Sequence, residues 1–139
     1  MRIVLDTNVL VSGLLNAKGN PAKIVTLILT GALQICHDQR ILAEYTEVLS
    51  RPRFKFDPNR VRDVLAKIQA DGLSGNGTNV ALGLPDPDDE PFIDIALEMH
   101  AEYLVTGNLS DYPSACCRGM KVLNPADFLA IWQKRPAAS

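Results

Sequence analysis

Asp6 ends a short apolar run, Ile3-Val4-Leu5, and a second run, Tyr103-Leu104-Val105, ends in Thr106-Gly107-Asn108. If both runs are strands of one parallel sheet, their polar ends share the rim where open α/β sheets bind ligands. A carboxylate on that rim serves as a metal ligand or as a nucleophile. Glu44, Asp89, Asn108 and Asp111 are the groups that can join Asp6 there. Such an all-oxygen set suits a hard divalent cation, whereas His and Cys select softer metals. Taken singly, Glu44 also reads as a solvated boundary residue of its helix, Asp89 as a helix cap, and Asn108 and Asp111 as turn residues. Their joint arrival at one rim is the harder thing to explain that way.

Helical periodicity sorts the acids. In the helix expected after Asp38, the apolar stripe is Ile41, Leu42, Tyr45, Val48 and Leu49. Glu44 lies roughly 100° from the centre of that stripe and Glu47 roughly 160°, so Glu44 borders the core and Glu47 faces water. In the helix expected from about Asp88 to His100, the inward stripe is Phe92, Ile93, Ile95, Ala96 and Met99. Asp89 falls on that stripe in the first turn, where the helix dipole favours an anion. Glu90 and Asp94 project the other way.

The elements that carry these groups alternate. Short strands are expected at Ile3–Leu5, Leu33–Cys36, Tyr103–Thr106 and Lys121–Leu123, with a minor strand around Val80–Leu82. Thr7 or Asn8 can cap a short first helix, and Asn20-Pro21, Asp38, Asp57-Pro58 and Asn124-Pro125 read as helix starts. Strands alternating with helices imply a three-layer α/β/α sandwich around a central parallel sheet. The length of 139 residues suits one domain, read as residues 1–135 with a frayed tail at 136–139.

Bulk properties exclude several classes. No apolar run reaches the roughly 18 residues of a membrane span, and the start lacks the pattern of a signal peptide, so a cytoplasmic protein is expected. Cys36, Cys116 and Cys117 are odd in number and lack zinc-ligand spacing, which fits reduced thiols. The net charge of −2 is not that of a general nucleic-acid binder. Its distribution is uneven, however. Arg51, Arg53, Lys55, Arg60, Arg62 and Lys67 form a basic stretch, and Asp86, Asp88, Asp89, Glu90, Asp94, Glu98 and Glu102 an acidic one. This layout suits a site that grips a polyanion through a metal, and it also suits two solvated helix faces. His37 and His100, at a strand end and a helix end, read as structural.

Three segments together resemble a known family: Ile3-Val4-Leu5-Asp6-Thr7-Asn8-Val9-Leu10, Asp86-Pro87-Asp88-Asp89 followed by Phe92, and Leu104-Val105-Thr106-Gly107-Asn108. The chain resembles the PIN-domain ribonucleases, and within them the VapC-like toxin components of toxin–antitoxin systems. That resemblance implies a metal-dependent endoribonuclease that cuts single-stranded RNA with Mg2+ or Mn2+. It implies that Asp6, Glu44 and Asp89 are catalytic metal-site acids, with Asp88 the nearest competitor of Asp89. The fourth family position, usually acidic, falls on Asn108, so Asp111 is the acid that can replace the missing charge. Thr7, Asn8 and Thr106 are supporting residues, and Arg51, Arg53 and Lys55 can contact RNA. A small antitoxin and a homodimer are expected on the same ground. Two further readings stand beside it. One is a phosphatase of the haloacid-dehalogenase kind with Asp6 as nucleophile, although Asn8 replaces its second acid. The other is a PIN-fold binding module with weak or no catalysis.

Overall fold

In the computed structural model, residues 1–135 are described, and the tail expected at 136–139 lies outside them. Five strands form one parallel sheet: β1 (Arg2–Leu5), β2 (Gln34–His37), β3 (Leu73–Ser74), β4 (Tyr103–Val105) and β5 (Val122–Leu123). Their order across the sheet is β3-β2-β1-β4-β5. β1 is central, with Ile3, Val4 and Leu5 fully buried. It pairs with β2 through Arg2–Gln34 and Ile3–Ile35, and with β4 through Ile3–Tyr103, Val4–Leu104 and Leu5–Val105. The chain adds β2 and β3 on one side of β1, then crosses to add β4 and β5 on the other. The β1/β4 boundary is therefore the switch point of the sheet, and its carboxyl end is the expected ligand crevice.

Six helices complete the three layers: α1 (Thr7–Leu15), α2 (Asn20–Leu29), α3 (Gln39–Leu49), α4 (Pro58–Asp71), α5 (Glu90–Glu98) and α6 (Pro125–Lys134). α5 lies against β1, β2 and β4 and touches α3, while α2 contacts α1, α4 and α6. α3 starts where Asp38 accepts the Ile41 N–H at 2.9 Å, and it buries Ile41, Tyr45 and Leu49 on one face. Asp57 and Asn124 cap α4 and α6 in the same way. Gly13 lets α1 and α2 touch, because a Cβ there would stand 2.7 Å from Val25 Cγ2 and 2.9 Å from the Pro21 carbonyl.

Four local expectations need correction. Neither Thr7 nor Asn8 caps α1; Asp6 occupies the N-cap and makes no side-chain cap bond, because its carboxylate is engaged across the sheet. Asn20 is the first residue of α2, and Gly19 precedes it as cap. Val80–Leu82 is not a strand, and the minor edge strand is Leu73–Ser74, paired with β2. Asp94 does not face water; it is 5% exposed.

The reason for the last two is shared. The segment from Asn76 to Leu84 has no strand to pair with, so its N–H groups need other acceptors. Glu90, Asp94 and Glu98, spaced four apart on α5, provide them. Glu98 accepts from Asn76 and Gly77 at 3.1 and 2.7 Å. Asp94 accepts from the Thr78 and Asn79 N–H groups at 2.9 and 3.2 Å, from the Thr78 hydroxyl, and from Arg40 at 2.8 Å. Glu90 accepts from Leu82 and, at 3.1 Å, from Leu84. Three of the seven acids in the acidic stretch thus tie a loop to a helix.

Candidate functional site

Asp6 reaches the crevice because β1 ends there. Its N–H continues the sheet by donating to the Val105 carbonyl at 2.9 Å. Its side chain is 4% exposed, and Oδ2 collects three donors: the Thr106 hydroxyl at 2.9 Å, the Tyr112 hydroxyl at 3.1 Å and the Asn8 amide at 3.4 Å. Thr106, fully buried at the end of β4, accepts the Asn108 N–H at 3.1 Å. Asn8 also accepts the Gly107 N–H at 2.9 Å, which fastens the start of α1 to the turn after β4. With its amide used twice in this way, Asn8 does not act as an acid or base. Burial pushes the Asp6 carboxyl above its ordinary value; the Thr106 and Tyr112 hydroxyls and the Thr7 N–H pull it back, and the charge of Asp111 pushes it further up.

Glu44 projects from the middle of α3 and is half-buried, in keeping with its place on the border of the apolar stripe. It accepts the Thr7 hydroxyl, so the residue after Asp6 holds the second acid. Burial pushes its carboxyl up, the Thr7 hydroxyl pulls it down, and Asp6, Asp88 and Asp86 push it up again. Asp89 ends a 3-10 turn, Pro87–Asp89, and opens α5 without capping it by a side-chain bond. Asp86 accepts the Asp88 N–H at 2.9 Å and so shapes that turn, while Asp88 is exposed. The Asp89 carboxyl is pushed up to about 7, first by burial and then by Asp6, Asp111, Asp86 and Glu44.

Asn108 and Asp111 flank the turn Leu109–Asp111 that follows β4. Asn108 is exposed, and its side-chain oxygen accepts the Ser110 hydroxyl at 2.7 Å. Asp111 is half-buried, and its charge is felt by Asp6, Asp89 and Tyr112. Asp6, Glu44, Asp89 and Asp111 are therefore electrostatic neighbours at the carboxyl end of β1 and β4, with Asp86 and Asp88 on the border.

Repulsion that lifts several carboxyls together is the condition a divalent cation relieves. The donors are all oxygens, which fits Mg2+ or Mn2+ and not a thiophilic metal. The acids are neighbours without forming a finished cage: among the described residues, no three His, Cys, Asp or Glu side chains make a ready metal-ligand group. The residues fit such a cation by chemistry and charge, and hydrogen bonds hold Asp6 and Glu44 in place beforehand.

Arg51, Arg53 and Lys55 are exposed around the turn that follows α3. Arg51 is paired with Glu47 at 2.8 Å, and the charge of Glu44 also reaches it, so this basic stretch begins beside the acids. Arg53 lies over the Phe54 ring at 4.8 Å, and Phe54 stacks on Phe56 at 5.3 Å. A groove of about 450 Å3 opens between α3 and α4, with Leu49, Phe56, Val61 and Leu65 inside and Arg51 and Arg62 at its edge. His37 is buried with no hydrogen bond to either ring nitrogen, and burial lowers its tendency to protonate. All three cysteines are free.

Sequence reasoning missed Tyr112. Its hydroxyl reaches Asp6 from 106 residues away, and no periodicity or motif marks it. Asp86 reads from sequence as part of an acidic stretch and of the Asp86-Pro87-Asp88-Asp89 motif without a role of its own, although Asp-x-Asp before a proline-containing helix start is a capping pattern that predicts its local bond.

A protein-family profile described as PIN domain matches residues 2–110. A protein of Methanocaldococcus jannaschii, named only as uncharacterised, is 29% identical over 145 residues, covering 96% of this chain and 93% of that one. PIN domains are generally nucleases and typically use divalent metal ions. No helix among the described residues is long and apolar enough to cross a membrane. The match over residues 2–110, on a parallel sheet with the acids at its switch point, establishes that the chain belongs to the PIN-domain family.

Proposed function

We propose that the chain is an endoribonuclease that uses Mg2+ or Mn2+ to hydrolyse phosphodiester bonds of single-stranded RNA. The observation that carries this reading is the convergence of Asp6, Glu44, Asp89 and Asp111 at the carboxyl end of β1 and β4, close enough for Asp6, Asp111 and Glu44 to repel the Asp89 carboxylate. Bound there, a divalent cation supplies an activated water and charge neutralisation for the scissile phosphate. Asp6 and Asp89 are the residues that would hold it directly, with Glu44, Asp111 and the Asn108 amide oxygen completing the set. Thr106, Tyr112 and Asn8 orient Asp6, and Thr7 orients Glu44. Arg51, Arg53 and Lys55 bind the RNA backbone beside the acids.

The test is cleavage of a labelled single-stranded RNA with Mg2+ or Mn2+ by the wild-type chain, Asp6→Asn and Asp89→Asn. Loss of at least about 100-fold in both variants is expected, as for removal of a metal ligand. Equal cutting by all three would sink the nuclease reading. The role of toxin in a toxin–antitoxin pair follows from the VapC-like resemblance. It predicts a cytoplasmic homodimer whose expression arrests growth until a small antitoxin from the adjacent reading frame is co-expressed. A second reading has one observation in its favour: Asn108 brings no charge, and its amide oxygen is engaged by Ser110. A PIN-fold binding module would retain RNA and leave it uncut with either metal.

A further inference from the structure

Two buried tyrosines stand beside the acids, and they differ in what they hold. Tyr45, on α3, donates its hydroxyl to the backbone carbonyl of Leu5. Tyr112, 3% exposed, donates to the side chain of Asp6. A buried phenol needs a partner, and Asp6 is the one that Tyr112 has among the described residues.

The three side-chain donors to Asp6 end on one oxygen. The Thr106 hydroxyl accepts the Asn108 N–H, so its own proton points to Oδ2. The Tyr112 hydroxyl arrives from the turn after β4, and the Asn8 amide from α1. A carboxylate oxygen offers about two good lone-pair directions. Two hydroxyls fill those of Oδ2, and a cation could use this oxygen only by displacing one of them.

We propose that Tyr112 is a positioning residue for Asp6: together with Thr106 it reserves Oδ2 and leaves Asp6 to meet a divalent cation through Oδ1 alone. This rests on the metal-dependent reading above. The two hydroxyls fix the plane of the carboxylate, so that Oδ1 is aimed before any ion arrives and Asp6 does not rotate into a two-oxygen grip on it. Outer donors of this kind set ligand orientation and affinity.

The experiment titrates Mn2+ into the full chain and follows the free-ion EPR signal, beside RNA cleavage in Mn2+. Tyr112→Phe keeps the ring and removes only the hydroxyl. Its Mn2+ dissociation constant should rise about 10- to 100-fold, with kcat reduced and KM for RNA unchanged. Thr106→Val removes the second hydroxyl from the same oxygen and should act in the same direction, which keeps the test alive if Tyr112→Phe folds poorly. Tyr45→Phe removes an equally buried hydroxyl from a backbone partner and should leave Mn2+ affinity unchanged. Wild-type affinity in both Tyr112→Phe and Thr106→Val overturns the proposal while leaving the nuclease reading intact. An equal loss in Tyr45→Phe also overturns it, since the effect would then be general loosening. Failure of the wild-type chain to bind Mn2+ at all overturns the nuclease reading, and this proposal falls with it.

Discussion

An aspartate that keeps its proton to about pH 7 makes folding depend on pH in an unusual direction. Ordinary paired carboxylates stabilise a fold as they ionise. Asp89 does the reverse, because its folded value lies above the unfolded one near 3.8. Between those limits the folded chain binds a proton that the unfolded chain releases, so stability falls as pH rises. The contribution is complete below about 3.8 and is lost as pH passes about 7. Burial and repulsion push Asp6 and Glu44 the same way. Asp89→Asn should therefore melt higher than wild type at about pH 8 and show little advantage at about pH 4, as read by thermal unfolding at each pH. A wild-type advantage at about pH 8 would show that the acids are not repelling one another. The same residues mark the reach of the sequence. Asp6, Glu44 and Asp89 could be singled out because strand ends and helical stripes have fixed periods. Tyr112 could not, because its contact with Asp6 exists only after β1 and β4 pair.

α5 shows why a helix can be placed correctly and its surface misread. Of its inward stripe, Phe92, Ile93, Ile95 and Ala96 are buried as the spacing indicates, and Met99, at the helix end, is half-buried. The opposite face has the composition of a solvated helix, with Glu90, Asp94 and Glu98 one turn apart. What covers it is a segment without repeating pattern, and only the folded chain reveals that its N–H groups have no other acceptors. Burial by itself would raise the Asp94 carboxyl. The bonds from Thr78, Arg40 and Asn79 outweigh that and hold it below its ordinary value. Here the sign is the usual one: stability is present above the unfolded pKa and is lost as pH falls through the folded one. Asp94→Ala should cost about 2–3 kcal/mol in urea unfolding at neutral pH, since Arg40 and two backbone donors lose a charged partner. The deficit should shrink in acid. Glu98→Ala, at the half-buried end of the row, should cost about 1 kcal/mol. Gly13→Ala tests the contact between α1 and α2. The new methyl would meet the Pro21 backbone and the stiff Val25 side chain, so a loss of about 1–3 kcal/mol is expected from the same unfolding curves.

Across the fold as a unit, charge is sorted more than its net of −2 suggests. The carboxyl end of the sheet collects Asp6, Glu44, Asp89 and Asp111, a field that repels RNA unless a cation lies within it. The basic turn after α3 starts one residue beyond Ser50, on the element that carries Glu44 to the crevice. α3 thus joins an acid site to a basic track, and its length sets their separation: seven residues from Glu44 to Arg51 span about 10 Å at the helical rise. Sequence order made the basic stretch legible; its neighbourhood with the acids depended on how α3 crosses the sheet. If Arg51, Arg53 and Lys55 hold phosphates, each releases counterions when RNA binds. Replacing all three by Gln should then flatten the dependence of log affinity on log salt by about 2, at roughly 0.7 for each phosphate contact on a single strand. Fluorescence anisotropy with a labelled RNA over a salt series measures this. Asp6→Asn is the useful background, because it allows binding to be read without cleavage. Arg60→Gln and Lys67→Gln, which lie further along α4, should leave the slope nearly unchanged. An equal flattening from those two would mean that RNA is drawn by diffuse charge over α4, and the track beside Glu44 would have no special part in binding.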